Sequence, residues 1–146
     1  MTIGWHFDNT YSKLSNTFKE EIKPTPVHDP ELVILNNKLA TNLNLDFSKV
    51  DNKDLAKLFS GNLLPEGSNT IAQAYAGHQF GHFTMLGDGR AVLLGEHLVN
   101  KNNRFDIQFK GSGRTSFSRS GDGRAVLGPM LRAVSYTHLT LPTNRE

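Results

Sequence analysis

Residues 87–111 read GDGRAVLLGEHLVNKNNRFDIQFKG. Within this stretch, Ala91–Gly95 and Phe105–Lys110 are rich in aliphatic and aromatic residues, which predicts two strands. The polar run Asn100–Arg104 lies between them and predicts a hairpin loop. A glycine-rich turn therefore leads into a two-stranded hairpin whose second strand ends in a lysine.

The opening of this stretch occurs twice, because Gly87–Leu93 and Gly121–Leu127 both read GDGRAVL. Glycines let the backbone turn sharply and direct successive N–H groups into one concavity that binds anions. Arginine adds a planar fork of donors that matches phosphate oxygens. The pattern is therefore consistent with polyphosphate binding, but two tight turns with surface arginines explain it equally well.

The position of Lys110 favours the phosphate interpretation. Protein kinases use the same order, in which a glycine-rich loop covers the phosphates of ATP and a strand lysine then pairs with them. The loop does not match Gly-x-Gly-x-x-Gly or the Walker A pattern. The residues alone thus predict a β-rich lobe that binds phosphate, followed by a long loop over Gly111–Gly123.

Helical signals occur before and after this region. Asp29 and Pro30 resemble an N-cap and a first helical position, and leucines follow at spacings of three and four. Gly61 and Gly77 stand where helices would end. We therefore predict four helices, at Asp29–Leu43 with core-facing Leu32, Leu35, Leu39 and Leu43, at Asp51–Phe59, at Asn69–Tyr75, and from Pro129 onward.

The composition limits the classes of function. The 146 residues fit one domain, there are no cysteines, and the net charge is +2 without a clustered basic segment. No secretory signal and no membrane-spanning run is evident. We therefore expect a soluble cytoplasmic protein without a nucleic-acid or membrane partner, whose oligomeric state the sequence does not indicate.

Two other groups of residues have the spacing of functional sites. His78 and His82 have zincin spacing, but the glutamate is missing and Gly81 opposes a helix, so we expect a packed, hydrogen-bonded His78 instead of zinc. The hydroxyls of the long loop are expected to be solvated loop residues, with self-modification as the alternative; they are Ser112, Thr115, Ser116, Ser118 and Ser120.

An ordered series of motifs resembles the selenoprotein O family over about Trp5–Arg132. The motifs are YAGHQFG, LGDGRA, QFKGSG and SRSGDGRAVL. The resemblance implies an α+β, protein-kinase-like fold, of which this chain is the N-terminal lobe portion. It also implies ATP bound in a flipped orientation, Mg2+ or Mn2+, and transfer of AMP to Ser, Thr or Tyr hydroxyls of protein substrates.

The resemblance carries over to individual residues. Gly87, Gly89 and Arg90 match the first nucleotide-binding loop and Lys110 matches the lysine that holds the triphosphate. Asp122 and Gly123 match the second nucleotide-binding loop. The family's catalytic base and metal ligands lie further along a longer chain, so no catalytic or metal-binding residue is expected among these 146.

The family pattern ends at Arg132. Relatives carry a glutamate that pairs with the strand lysine, whereas this chain has Ala133. Residues 133–146 look like the translation of a sequencing adapter. Residues 1–132 are therefore expected to form the family domain, and we assign no functional role to Tyr136 or His138. We therefore expect this polypeptide to be inactive by itself. A non-catalytic, pseudokinase-like nucleotide-binding module and a fragment that binds nothing well are the alternatives.

Overall fold

The computed structural model describes residues 3–138 and shows an α+β fold with one antiparallel sheet. The predicted α+β class is therefore confirmed. The strands are β1 (Lys19–Glu21), β2 (Ile71–Gln79), β3 (His82–Gly87), β4 (Ala91–Asn100) and β5 (Asn103–Lys110). The helices are α1 (Asn37–Asn42), α2 (Asn52–Ser60) and α3 (Leu127–His138), with a 3-10 turn at Tyr11–Lys13.

The strands run in the order β1-β2-β4-β5, and β3 pairs with the outer half of β2. The predicted hairpin is confirmed as β4 and β5, which pair from Ala91–Lys110 to Asn100–Asn103. The inner half of β2 joins the main sheet, where Ile71 lies opposite Leu93. The outer half therefore projects from the sheet as a hairpin with β3.

The core has one part in the sheet and one beneath it. Ile71, Val92, Leu93 and Leu94 are buried in the sheet. A second cluster joins the two short helices and the loop after α1, and it consists of Ala40, Leu43, Leu45, Phe47, Leu55 and Leu58. Burial of such apolar area is the main stabilising term of a domain this small.

His97 of β4 links the two parts of the core. Its side chain is 1% exposed. Nδ1 accepts a hydrogen bond from the His6 backbone N–H at 3.1 Å, so the proton lies on Nε2, which donates to the Leu43 carbonyl at 2.8 Å. This histidine therefore fastens the N-terminal segment and the end of α1 to the sheet.

The predicted helix at Asp29–Leu43 begins in the wrong place. Asp29 has a φ of +50°, which differs from the extended conformation of an N-cap. The helix starts after Asn36, whose side chain accepts a hydrogen bond from the Leu39 N–H at 3.0 Å. The leucine stripe is core only in part, since Leu43 is buried but Leu39 is 51% exposed.

The predicted helix at Asn69–Tyr75 is wrong, because this segment enters strand β2. Ile71 and Ala72 have no exposed surface and lie between β1 and β4. The alanines here favour a helix by less than about 1 kcal/mol per residue, which is too little to outweigh strand pairing on both sides. Gly77 lies within the strand and does not cap a helix.

The other two predicted helices are confirmed. Asp51 caps α2 by accepting from the Asp54 N–H, and Gly61 ends it at a φ of +84°. Helix α3 begins at Leu127, two residues before Pro129, and includes Ala133. Residues 139–146 of the predicted tail lie outside the described part of the chain. Within residues 3–138, no helix is long and apolar enough to cross a membrane.

Candidate functional site

The two GDGR turns lie on one open cleft of about 440 Å³ beside the β2–β3 hairpin. The volume is in the range of small-ligand sites. Five of the six residues predicted to bind nucleotide line it, namely Gly87, Gly89, Arg90, Asp122 and Gly123. The other lining residues are Tyr75, Gln79, Leu86, Phe117, Ser118, Arg119, Gly121 and Arg124.

The first turn is fixed to β2 through Asp88. Its backbone N–H donates to the Gln73 carbonyl at 2.9 Å, and its carboxylate accepts from the Gln73 N–H at 3.0 Å. Asp88 is 8% exposed and does not line the cleft. The aspartate of the first GDGR motif is therefore a structural residue that holds the turn against the sheet.

The long loop after β5 also holds the first turn. Thr115 donates its hydroxyl to the Asp88 carbonyl at 2.5 Å, and Ser118 donates to the Gly89 carbonyl. Gly87 lies under the ring of Phe117, because a Cβ at that position would come within 2.3 Å of the ring. The first turn thus needs a glycine at position 87 because the ring of Phe117 approaches the backbone closely.

The second turn is fixed to the start of the same long loop. Gly123 has a φ of +71°, and its carbonyl accepts from the Gly113 N–H at 3.2 Å. Asp122 accepts a hydrogen bond from the Arg124 N–H at 2.9 Å, which closes the turn locally. The Ala125 N–H donates to the Gly111 carbonyl at 3.1 Å. Gly111, the residue after Lys110, and Gly113 therefore position the second turn.

The two arginines of the repeated motif have different roles. Arg124 is half-buried and donates to the carbonyls of Thr25 and Pro26 at 3.2 and 3.1 Å. Arg90 is exposed and lines the cleft, and its side chain makes no hydrogen bond or ion pair within the described residues. Arg90 is consequently the motif arginine that is available to an anion, whereas Arg124 is a tether.

Lys110 lies beside the cleft but does not line it. It ends β5 opposite Ala91, the residue after Arg90, and its side chain is exposed. The Gly111 N–H donates to the Arg90 carbonyl at 2.6 Å, so the lysine is one strand away from the first turn. Its role as the lysine that contacts phosphate stays a prediction.

The hydroxyl residues of the long loop are more than solvated side chains. Ser112 and Thr115 are buried. Ser116 donates to the Glu20 carboxylate, while Thr115 and Ser118 hold the first turn. The expectation of loop solvation is therefore wrong for Ser112, Thr115 and Ser118, because the loop folds back on the sheet. Ser116 is exposed, as expected, although its hydroxyl is bonded to Glu20. Ser120 is exposed, as expected, and self-modification stays a prediction.

The histidine pair belongs to the β2–β3 hairpin. His78 is exposed on β2, so the prediction that it is packed is wrong; the missed strand explains the error. His82 begins β3, and its Nδ1 lies 3.1 Å from the Phe80 carbonyl. Across residues 3–138, no three or more of His, Asp and Glu are grouped as metal ligands.

Eight residues of the cleft wall lie outside the predicted set, and three of them carry side chains with binding chemistry that sequence reasoning missed: Tyr75, Gln79 and Arg119. The first two lie on one side of β2, and the helix predicted to end at Tyr75 gave no indication of this strand. The Arg119 guanidinium carbon lies 5.1 Å from the centre of the Phe80 ring. This cation–π contact joins the hairpin tip to the second turn.

Burial raises the pKa of Asp88 above its usual 3.8, and the hydrogen bond from the Gln73 N–H only partly opposes this shift. A carboxyl group with a raised pKa contributes stability that is present at low pH and is lost as the pH rises through that pKa. Deprotonation of Asp88 therefore weakens the fold towards neutral pH.

We expect Asp88→Asn to keep the acceptor for Gln73 and to unfold with a weaker pH dependence than the wild type. Asp88→Ala leaves that buried N–H unpaired and should lower the free energy of unfolding by about 1–3 kcal/mol. Urea unfolding of the whole protein between about pH 4 and about pH 7 measures both effects. Equal stability of the two variants at all pH values would contradict this role.

Comparison with known proteins agrees with the motif series. The family described as "Protein adenylyltransferase SelO" matches residues 2–144. A protein nucleotidyltransferase YdiU of Pelagibacter ubique is 70% identical over 100% of this chain and 31% of its own length. A protein of the same name from Nitrosococcus oceani is 59% identical over 99% of this chain and 30% of its own length.

A third relative, also called protein nucleotidyltransferase YdiU, comes from Anoxybacillus flavithermus and is 53% identical over 100% of this chain. The chain spans about 30% of the length of these curated relatives. High identity over nearly all 146 residues, together with the family match, leaves no competing assignment. The chain belongs to the protein adenylyltransferase SelO family.

Proposed function

We propose that the whole protein transfers AMP from ATP to hydroxyl groups of protein substrates. The observation that carries this proposal is the meeting of both GDGR turns on one cleft, with Arg90 uncommitted. Membership of a nucleotidyltransferase family supports the reaction class. In that reaction a Ser, Thr or Tyr oxygen attacks the α-phosphorus, the bond to the β-phosphate oxygen breaks, and pyrophosphate leaves while the hydroxyl proton passes to a base.

The described residues fit the anionic end of ATP. Arg90 and Arg119 offer two guanidinium groups on the cleft, and the glycines of both turns leave backbone close to the ligand. We propose that Lys110 adds a third cation at the edge. A divalent Mg2+ or Mn2+ would neutralise phosphate charge when bound. None of the described residues is assigned to it.

We further propose that this segment is part of the small lobe of a kinase-like fold. The support is the order of elements, in which a glycine turn leads into β4 and β5 ends in a lysine. An antiparallel sheet carries that order, as it does in kinases. Protein substrates and a cytoplasmic location are part of the same proposal.

Incubation of the whole protein with ATP labelled at either the α- or the γ-phosphate tests the activity. Label that enters a protein substrate from the α position alone is the expected result. Entry of the γ label would indicate a kinase instead, and entry of neither, despite ATP binding, would indicate a non-catalytic nucleotide-binding module. Arg90→Ala serves as the matched variant and should abolish most of the α-label transfer.

A further inference from the structure

We propose that the cleft-facing side of the β2–β3 hairpin recognises the base of the nucleotide. In this arrangement the Tyr75 ring stacks on the heterocycle, and the Gln79 side-chain amide hydrogen-bonds to its polar edge. The inference rests on the proposed nucleotide-binding function, and it deepens that function by assigning the base to a wall of the cleft that neither GDGR motif provides.

The strand register brings these side chains to one face. Side chains two residues apart lie on the same side of a strand, so Tyr75, Gly77 and Gln79 share the face that borders the cleft. Tyr75 pairs with Leu86, which also lines the cleft. Ala76 and His78 lie on the opposite face, together with their partners Met85 and Phe83.

The two walls of the cleft differ in chemistry as the two ends of a nucleotide do. The turn side carries the guanidinium groups of Arg90 and Arg119, the glycine backbone, the Asp122 carboxylate and the Phe117 ring that packs on Gly87. The hairpin side carries an aromatic ring, the aliphatic Leu86 and one neutral amide. Aromatic rings stack on bases regardless of their identity, whereas amide groups distinguish their hydrogen-bonding edges.

Both proposed contacts are available to a ligand. Tyr75 is 48% exposed, and within the described residues neither its hydroxyl nor the Gln79 amide has a hydrogen-bond partner. Gly77 lies between them, and a Cβ there would meet no atom within 4 Å. The glycine therefore leaves open space on the strand face between the two side chains.

General apolar exposure does not account for this assignment. Phe83 and Met85 are even more exposed, at 69% and 75%, but they lie on the face turned away from the cleft. The contact between Arg119 and Phe80 at the hairpin tip keeps the cleft-facing side near the second turn. Position relative to the arginines, and not exposure, singles out Tyr75 and Gln79.

Calorimetric titration of the whole protein with ATP, GTP and inorganic tripolyphosphate tests the assignment. Tyr75→Ala should weaken ATP binding about tenfold or more and leave the affinity for tripolyphosphate within about twofold. Tyr75→Phe should retain the affinity for ATP. Gln79→Ala should reduce the discrimination between ATP and GTP. Phe83→Ala, which alters the opposite face of the same hairpin, should change none of these affinities.

Two results would overturn the inference alone. One is unchanged ATP affinity in Tyr75→Ala, and the other is an equal loss for ATP and tripolyphosphate, which would show that Tyr75 only supports the fold. Tyr75→Leu keeps apolar volume and replaces the alanine variant if thermal unfolding shows that the latter is unstable. A wild-type protein that binds neither ATP nor tripolyphosphate would overturn the proposed function and the inference with it.

Discussion

Replacement of Gly123 by alanine is expected to lower the free energy of unfolding by about 2–5 kcal/mol. A left-handed backbone costs an L-residue about 1–2 kcal/mol, and forcing an added methyl into a packed site costs about 1–3 kcal/mol more. Both terms apply, because Gly123 has a φ of +71° and its Cβ would lie 2.1 Å from the Gly113 carbonyl oxygen. Backbone cannot move aside as a flexible side chain can.

The matched control for Gly123→Ala is Gly121→Ala in the same motif. A Cβ at Gly121 would meet nothing within 4 Å, and its φ is not in the left-handed region. Urea unfolding of the whole protein should therefore separate the two variants by most of the predicted difference. Equal stability of the two would mean that the second turn is not built as described.

We expect Arg90→Ala and Arg124→Ala to fail in different ways, although both arginines follow Gly-Asp-Gly. The Arg90 side chain makes no hydrogen bond or ion pair within the described residues, so its removal should weaken ATP binding about 10- to 100-fold and leave the melting temperature unchanged. Arg124 ties the second turn to Thr25 and Pro26. Its removal should lower the free energy of unfolding by about 1–3 kcal/mol.

Calorimetric titration and thermal unfolding of both variants separate the two effects. The lysine replacements refine the result, because lysine keeps the charge but not the planar fork of arginine. Arg90→Lys should recover part of the ATP affinity. A destabilised Arg90→Ala, or an Arg124→Ala that loses ATP affinity at full stability, would reverse the assignment of roles.

The sequence identifies the strands of the sheet best where the hydrophobic pattern is strong and local. The β4–β5 hairpin was predictable from its two apolar runs and the polar loop between them. Helix α2 was predictable because Asp51 and Gly61 act within the helix they cap. In these elements local preference and tertiary environment agree, which is the condition under which pattern reasoning succeeds.

The β2–β3 hairpin was not predictable in this way. The sequence of β2 contains three alanines and Gly77, which favour neither helix nor strand strongly. Its strand conformation depends on pairing with β1, β3 and β4. Strand β1 lies about 50 residues earlier in the sequence, and β3 and β4 come after β2, so the local pattern of β2 does not reveal these pairings. The wall of the cleft that carries Tyr75 therefore became visible only when the strand register was known.

The candidate site shows the same limit at the level of single residues. The repeated motif predicted that its glycines and arginines bind phosphate, and the structure brings both copies to one cleft. Identical heptapeptides cannot reveal that Asp88 is buried against β2 while Asp122 is exposed. Those differences come from the segments that each copy packs against, Gln73 in one case and Gly113 in the other.

Hydrogen exchange of the whole protein with and without ATP tests most directly whether the paired GDGR turns form one nucleotide site. We predict slower exchange in ATP at both Gly87–Arg90 and Gly121–Arg124, with no change in α1 or α2. At an ATP concentration near the wild-type Kd, Arg90→Ala should lose most of the protection at both turns together. Protection of only one turn, or of neither while ATP binds elsewhere in the protein, would contradict the account.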